Sequence, residues 1–357
     1  MAKRKKNSYT ASKIEPSELT FTFSTPSGGV GSVTNSYIDL SQVASLVNRR
    51  FYRQGINWAV AGFKFITATP SQGASIKGTI SIQKLPNTWI MSNAWEKSMR
   101  TWLKMSNQAL EDNESVRPRF MDFKVFADGD HHQQGVLGNL LPVNYGGVPT
   151  TPGDWDYSTI HIPDSANVDP TSTGFAIERL VNEYDLIATG PSYPGVSPVT
   201  TKDGVSLIEG YASSRALPNL ADPNTPDDME DADGTTPQNW MTAIFNEGLI
   251  QESEVLEDLR EQNNVAPYPF ENDVTVMDTM YPGGQNQLRG LVVHDVSNVS
   301  ASTIGGNTYM KGGNFPCGLV KITHEVSQES IAHNLLVQID LVPGSHRGYM
   351  CEPMTEM

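Results

Sequence analysis

Apolar and polar residues alternate at period two in several short segments of this chain, and this pattern constrains its fold most strongly. The alternation is clearest in Leu19–Ser24 near the start and in His333–Val342 near the end, where Pro343 and Gly344 follow. Such alternation is typical of a β-strand with one buried face. With 30 glycines and 23 prolines available for turns, the sequence predicts many short strands rather than a helical bundle.

Further strand-like segments are separated by connections rich in glycine and proline. Residues 58–69 and 76–85, divided by a Pro-Ser-Gln-Gly turn, predict a hairpin. Other strands are expected at 119–126, 155–162, 175–187, 205–212, 288–294 and 318–326. About nine or ten strands without sustained strand–helix alternation predict an all-β, antiparallel sandwich with long loops and a few short helices.

One amphipathic helix is expected at about residues 93–110. Asn93 and Glu96 have the spacing of a capping box. Apolar residues recur behind them at helical intervals, namely Trp95, Met99 and Trp102. A stripe of this kind is usually core, although a binding face has the same spacing. A second helical stretch is expected from about Trp240 to Arg260.

Positive charge is concentrated at the start of the chain. The net charge is −15, and five basic residues precede the first acid, Glu15, so the remainder carries −15 − 5 = −20. The polar, aperiodic residues 1–16 predict a disordered basic arm. The basic residues of this arm are Lys3, Arg4, Lys5, Lys6 and Lys13.

Residues 17–357 are expected to form a single domain with an acidic surface insertion at about 216–285. Residues 216–259 contain eleven acidic residues and no Lys or Arg, which is typical of a solvent-facing element. The basic start has no apolar stretch behind it, and no later run approaches the roughly 18 apolar residues of a membrane span. We therefore expect a soluble protein made inside a cell, with no membrane partner.

Few residues suggest catalysis or metal binding. The segment Asp128–His132 has carboxylates and imidazoles that suit a divalent cation, but a polar turn has the same composition. His324 begins a zinc-protease pattern that fails because Gln328 stands where the second His is required. Cys317 and Cys351 are too few for a disulfide framework. We expect no enzyme, no bound metal and no cofactor.

Two basic segments are candidates for binding nucleic acid. The arm can neutralise phosphates without sequence preference, although an import signal or a solubilising tail has the same composition. In the second segment, Arg49, Arg50 and Arg53 surround Phe51 and Tyr52. Rings and guanidinium groups so arranged suit stacking on unpaired bases. Ion pairing within the protein or between subunits is the alternative for these arginines.

The order of these features resembles capsid proteins of circular single-stranded DNA viruses that encode a replication initiator, the circovirus-like and smacovirus-like group. The similar features are the arm, Leu19–Ser24, Ile38–Ser41, Asn48–Gly55, the strands at 58–69 and 76–85, His333–Pro343 and Gly344–Tyr349. The similarity is one of layout across most of the chain. It implies an eight-stranded jelly roll that self-assembles into an icosahedral shell around circular single-stranded DNA.

The resemblance also implies where the parts lie. The arm would face the genome, and the long loops would face outward or contact neighbouring copies. The protein would reside in the virion, bind a host receptor and pass through the host nucleus during assembly. The alternative is a non-viral β-sandwich that binds glycans or acts as an adhesive module, because jelly rolls also serve that role. A metal-dependent enzyme that uses Asp128–His132 is a third hypothesis.

The short arm sets a quantitative constraint on the capsid hypothesis. Circovirus-like coats typically carry a long arginine-rich arm, whereas this arm has five positive charges. A shell of about 60 copies would supply on the order of 300 arm charges, while a gene for this chain alone has roughly 1,070 phosphates. Other basic residues on the inner surface, polyamines or divalent ions would have to supply the remainder.

Overall fold

The computed structural model describes residues 17–67, 75–110, 115, 121–144, 147–163, 181–215, 240–243, 290–301 and 306–356, and the chain is mainly antiparallel β. The strands are β1 (Thr20–Ser24), β2 (Val33–Asp39), β3 (Ile56–Thr67), β4 (Lys77–Lys84), β5 (Thr159–Pro163), β6 (Val181–Ile187), β7 (Asp203–Ser206), β8 (Val292–Ser300), β9 (Asn307–Phe315), β10 (Leu319–Val326), β11 (Leu335–Leu341), β12 (Pro343–Gly344), β13 (Gly348–Tyr349) and β14 (Cys351–Pro353). The α-helices are α1 (Leu40–Asn48), α2 (Trp89–Leu110), α3 (Gly129–Gln134), α4 (Leu207–Arg215) and α5 (Trp240–Ala243).

The first sheet places the last long strand between two early strands. β11 pairs with β1 on one side and with β3 on the other, β9 and β14 also pair with β3, and all of these pairs are antiparallel. Phe23, Val337 and Phe65 lie side by side across β1, β11 and β3. All three side chains are fully buried, so the predicted alternation of β1 and β11 is confirmed.

The second sheet has the strand order β2-β10-β4-β8 and is antiparallel throughout. Ile38 and Val320 are paired across β2 and β10, and Ile322 and Ile82 are paired across β10 and β4. These four side chains join Phe23, Val337 and their neighbours from the first sheet in one hydrophobic cluster. The two sheets therefore bury their apolar faces against the same core.

Large side chains dominate this shared core. Trp58, Tyr52 and Tyr349 pack ring against ring at one end of it. Phe63 and Phe315 meet edge to face, with ring centroids 5.4 Å apart. Full burial of such a side chain contributes roughly 1.5 to 3 kcal/mol, so these aromatic contacts account for much of the stability of the sandwich.

A second core forms within the long connection between β4 and β8. β5 is antiparallel to β6, β6 is parallel to β7, and α2, α4 and α5 pack with them. Tyr37 and Leu319 of the second sheet belong to this second core, whereas their neighbours Ile38 and Val320 belong to the first. The long connection therefore packs on the outer face of β2 and β10.

A buried polar network fixes α1 and the start of β3 to this connection. Asp39 caps α1 by accepting hydrogen bonds from two backbone N–H groups of the first turn, and it also accepts from Gln54 Nε2 and Trp155 Nε1. Gln54 exchanges two further hydrogen bonds with the backbone of Val125. Burial raises the pKa of Asp39 to about 6, while the hydrogen bonds to its carboxylate act in the opposite direction.

The predicted hairpin of residues 58–69 and 76–85 is wrong. The two segments are strands, but β3 lies in the first sheet and β4 in the second, and they do not pair with each other. Each strand has one apolar face, and placing the strands in opposite sheets turns both faces toward the shared core. The turn residues 68–74 lie outside the described residues.

Two predictions in the long connection are corrected. The strand expected at 205–212 ends at Ser206 and continues as α4, because an apolar run of this length fits a buried helix as well as a strand. The predicted helix is confirmed as α2, but it begins at Trp89, so Asn93 and Glu96 lie inside it and form no cap. With 22 residues, α2 is longer than the few short helices expected.

Several predictions fall on residues that the structure does not describe. These are the basic arm at 1–16, nearly all of the acidic stretch at 216–285, and most of the helix expected from Trp240 to Arg260. Among the described residues, each helix is too short or too polar to cross a lipid bilayer.

We predict that Gln54→Ala lowers the free energy of unfolding by roughly 3 kcal/mol, because the backbone of Val125 and the buried carboxylate of Asp39 lose the hydrogen bonds that they share with Gln54. Gln338→Ala is the matched control, since Gln338 lies on β11 outside the core, and we expect a change below about 1 kcal/mol. Urea unfolding of both variants measures the difference. Equal losses would contradict the importance of the Gln54 network.

Candidate nucleic-acid interface

The described chain starts at a fixed point on one end of the sandwich. Ser17 Oγ donates to the carbonyl oxygen of Arg347 at 2.8 Å, and the backbone N–H of Glu18 donates to Asn48 Oδ1 at 3.1 Å. The basic arm residues Lys3, Arg4, Lys5, Lys6 and Lys13 lie outside the described residues. Ser17, to which the arm is joined, therefore lies beside Arg347 and the C-terminal end of α1.

Arg49 lies at this exit because it terminates α1. Its backbone is left-handed, with φ 53° and ψ 39°, a conformation that costs a non-glycine residue on the order of 1 kcal/mol. The preceding Asn48 donates to the carbonyl oxygen of Ala44 and to the hydroxyl of Tyr349, which fixes the last turn of the helix. The helix end is therefore anchored, and the Arg49 side chain is exposed to solvent.

The aromatic residues between the arginines have different environments. Tyr52 is fully buried, packs on Trp58 and donates from its hydroxyl to the carbonyl oxygen of Arg347 at 3.0 Å. Phe51 is 41% exposed. The expectation that both rings can stack on bases is therefore wrong for Tyr52, whose ring is part of the core, whereas Phe51 remains accessible.

Arg347 adds a basic side chain that the sequence prediction did not include. Its side chain is exposed, its backbone φ is 50°, and Nη1 donates to the carbonyl oxygen of Phe51. Residues 343–349 form a tight turn between β12 and β13 that returns Arg347 to the exit of the arm. An arginine in a Gly-Ser-His-Arg-Gly sequence indicates a turn, but nothing in it indicates which surface the turn approaches.

Acidic groups border the same surface. Arg53 is exposed and acts on Asp122, a buried carboxyl group that also lies 3.6 Å from Lys124 Nζ. Burial raises the pKa of Asp122 to about 6, and the charges of Lys124 and Arg53 act in the opposite direction. Arg53 thus acts on Asp122 through its charge, and the ion-pairing alternative for these arginines stays a prediction. Arg50 is half-buried and therefore less exposed to solvent than Arg49 or Arg53.

We call the exposed side chains of Arg49, Phe51, Arg53 and Arg347 the root surface, because Arg347 and the end of α1 contact the first described residues after the arm, and Phe51 and Arg53 follow Arg49 along the chain. Three guanidinium groups and one exposed ring are the groups that bind the phosphates and bases of single strands. The root surface thus joins part of the predicted segment 49–53 to the basic arm, although Tyr52 is absent from it.

The predicted cation cluster at Asp128–His132 is filled by a side chain of the protein. Lys321 Nζ lies 2.7 Å from Asp128 Oδ2 and 3.0 Å from Asp130 Oδ2. Asp128 also caps α3, and it accepts a hydrogen bond from the hydroxyl of Tyr37. The cluster therefore fixes the long connection to the outer face of β2 and β10.

The two histidines of this segment are buried and separately bound. His131 Nε2 lies 2.7 Å from Asn139 Oδ1, and burial lowers the pKa of His131 to about 4. His132 Nε2 lies 2.9 Å from Asp185 Oδ2, which also accepts from Thr200. Across the described ranges, no three His, Cys, Asp or Glu side chains converge in a group that could hold a metal ion.

The remaining candidates also lie in structural positions. Trp95 is buried in the second core, and Met99 and Trp102 pack against it, so the interpretation of this stripe as core is confirmed. His324 lies in the strand β10, whereas a zinc-protease motif requires a helix, so the interpretation that this pattern fails is confirmed. Cys317 is buried between β9 and β10.

Comparison with known proteins identifies no matching family model, no matching curated protein and no matching solved structure.

We predict that a triple variant, Arg49→Gln with Arg53→Gln and Arg347→Gln, weakens binding of a labelled oligo(dT) strand. The slope of log Kd against log salt should decrease by about 2, since each lost phosphate contact on a single strand contributes roughly 0.7. Fluorescence anisotropy at several salt concentrations measures the slope.

The matched control changes three exposed lysines of the described surface that lie elsewhere, Lys77, Lys104 and Lys311, to Gln. It removes the same net charge and should leave the slope nearly unchanged. The same decrease in both variants would show that only total charge matters and would contradict a localised interface.

Proposed function

We propose that this chain is the capsid protein of a small single-stranded DNA virus and that its eight long strands form a jelly roll. The observation that carries the proposal is the strand order. The two sheets read β1-β11-β3-β9 and β2-β10-β4-β8, so β1 to β4 alternate between the sheets, and β8 to β11 do so again. Two interlocked sets of four strands are the pattern of the jelly rolls found in viral coats and lectins.

The distribution of charge favours a coat over a lectin. The residues before Glu15 carry a net charge of +5, and the rest of the chain carries −15 − 5 = −20. The first described residues after the arm contact Arg347 and the end of α1, so the arm joins the described fold beside the root surface. A glycan-binding module has no use for a basic arm at such a position, whereas a coat that encloses nucleic acid can use the arm to neutralise phosphates.

The root surface also reduces the charge deficit. Five arm charges and the guanidinium groups of Arg49, Arg53 and Arg347 give eight per copy, or on the order of 480 for about 60 copies, against roughly 1,070 phosphates. Polyamines or divalent ions would supply the remainder. We assign the protein no catalytic role and propose the virion as its location, with assembly in the host nucleus.

Expression of the full chain followed by electron microscopy tests the proposal. We expect closed shells of uniform diameter, because the long loops and exposed strand edges of a coat are covered by neighbouring copies. A protein that stays monomeric across a wide range of salt and pH would overturn the capsid function. A monomer whose melting temperature rises with added saccharides would favour the glycan-binding alternative instead.

We predict that deletion of residues 1–13 leaves shell formation intact but lowers the nucleic acid protected from nuclease. The matched control keeps the length of the arm and replaces Lys3, Arg4, Lys5, Lys6 and Lys13 with Gln. Both variants should lose a similar amount of nucleic acid, because the phosphates respond to the charge of the arm. Unchanged nucleic-acid content in either variant would refute this role.

A further inference from the structure

Two histidines lie in contact inside the sandwich, at the end opposite the root surface. The rings of His324 and His333 are 4.9 Å apart at an angle of 66°, and the residues are 2% and 6% exposed. We call residues 25–34, 75–78 and 326–335, which surround the pair, the distal end. Neither histidine contributes to the site described above.

His324 occupies a position where the fold otherwise uses apolar residues. It follows Val320 and Ile322 on the inward face of β10. Neither of its ring nitrogens has a hydrogen-bond partner in the described part of the protein. His333 Nδ1 bonds to the carbonyl oxygen of Ile331 at 2.8 Å, but its Nε2 is also unpaired there. Three buried nitrogens without partners are unusual, because most buried polar atoms are hydrogen-bonded.

Glycines allow the backbone to close around His324. A Cβ atom at residue 28 would lie 3.7 Å from His324 Nδ1 and 2.6 Å from a methyl group of Val326. A Cβ atom at residue 78 would lie 3.2 Å from His324 Nε2. Gly28 and Gly78 therefore bring main chain to both sides of the ring, and no charged side chain enters between them.

The charged groups on the surrounding elements do not lie where they could offset a positive charge on the histidine pair. Residues 25–34 contain none. On β4, Lys77 pairs with the exposed Glu329 of the β10–β11 loop at 2.6 Å. On β10, Glu325 is exposed and Lys321 binds Asp128 on the outer face. The remaining charged residues of these strands lie at their far ends, namely Asp39 on β2, Lys84 on β4 and Asp340 on β11.

A metal ion is a poor occupant of this position. No other His, Cys, Asp or Glu joins the pair in the ranges that the structure describes. A divalent cation would then be buried with two neutral ligands and no anionic group, which is costly in an apolar interior. A proton brings a smaller charge than a divalent cation, but an unpaired positive charge on His324 is still costly inside a closed distal end.

We propose that His324, packed against His333, forms an acid-sensitive latch, which holds the distal end closed while the ring of His324 is neutral and releases it when that ring is protonated. The main chain of His333 exchanges hydrogen bonds with Gly28 at 3.0 and 3.3 Å. The latch thus connects the β1–β2 loop to the start of β11. Its release would free residues 25–34 and 326–335 while the centres of both sheets stay paired.

The direction of the pH effect follows from the environment of His324. Burial, and then the neighbouring His333, lower the pKa of His324 from 6.5 to about 4. An open distal end restores the ordinary value and therefore binds more protons between pH 6.5 and 4. Closure is then fully stable above about pH 6.5 and weakens as the pH falls toward 4. The equilibrium constant for opening should rise about 20-fold between pH 7 and pH 5.

Hydrogen–deuterium exchange of the full-length protein, analysed by peptide, tests the latch. After correction for the intrinsic pH dependence of exchange, peptides from 25–34 and 326–335 should lose protection about 20-fold between pH 7 and pH 5. Peptides from the centres of β3 and β11 should keep the same protection at both pH values. Equal protection of the distal end at both pH values would overturn the proposal, whether or not the chain assembles into shells.

Two variants and one titration complete the experiment. His324→Leu should abolish the acid response of the distal end, and His161→Gln, at an exposed histidine beside Glu183, should retain it. An equal response in His324→Leu would overturn the proposal. Nuclear magnetic resonance of the wild-type imidazoles is independent of how the variants fold. We expect His324 to titrate well below 6.5, and titration near 6.5 would exclude the latch.

Discussion

The fold depends on pairing between strands at opposite ends of the chain. Thr20 lies opposite Asp340, 320 residues away, and β11 must enter between β1 and β3 before the first sheet has its full apolar face. Contacts of such sequence separation cost loop-closure entropy before they contribute stability. The second core offsets part of this cost, because it gives the connection between β4 and β8 a folded structure and shortens the flexible chain to be closed.

Polar contacts, rather than apolar ones alone, fix how the connection lies on the sandwich. Asp39 and Gln54 join the start of β3 to the backbone of Val125, and Lys321 joins β10 to Asp128. Buried groups of this kind must all find partners in one arrangement, so they select a single position for the connection. Apolar packing alone would tolerate several positions of the connection. The two ring nitrogens of His324 do not meet this requirement within the described residues.

The sequence predicts those elements whose environment is set locally. Leu19–Ser24 and His333–Val342 were predicted because one face of each strand is buried, which produces alternation. β9 was missed because its two glycines carry no side chain to complete the pattern. The hairpin was wrong because partner strands depend on tertiary contacts. At the interface, sequence places Phe51 and Tyr52 in one basic segment but does not tell which ring faces the core.

The placement of charge decides which ligands a chain with a net charge of −15 can bind. At physiological ionic strength the Debye length is about 8 Å, so a strand lying at the root surface responds mainly to charges within about that distance and little to the net charge of the chain. The local field there comes from Arg49, Arg53 and Arg347, opposed by the nearby Asp122 and Glu18. The basic arm is joined to the fold at Ser17, beside this surface. Nucleic-acid binding is therefore compatible with a strongly negative net charge.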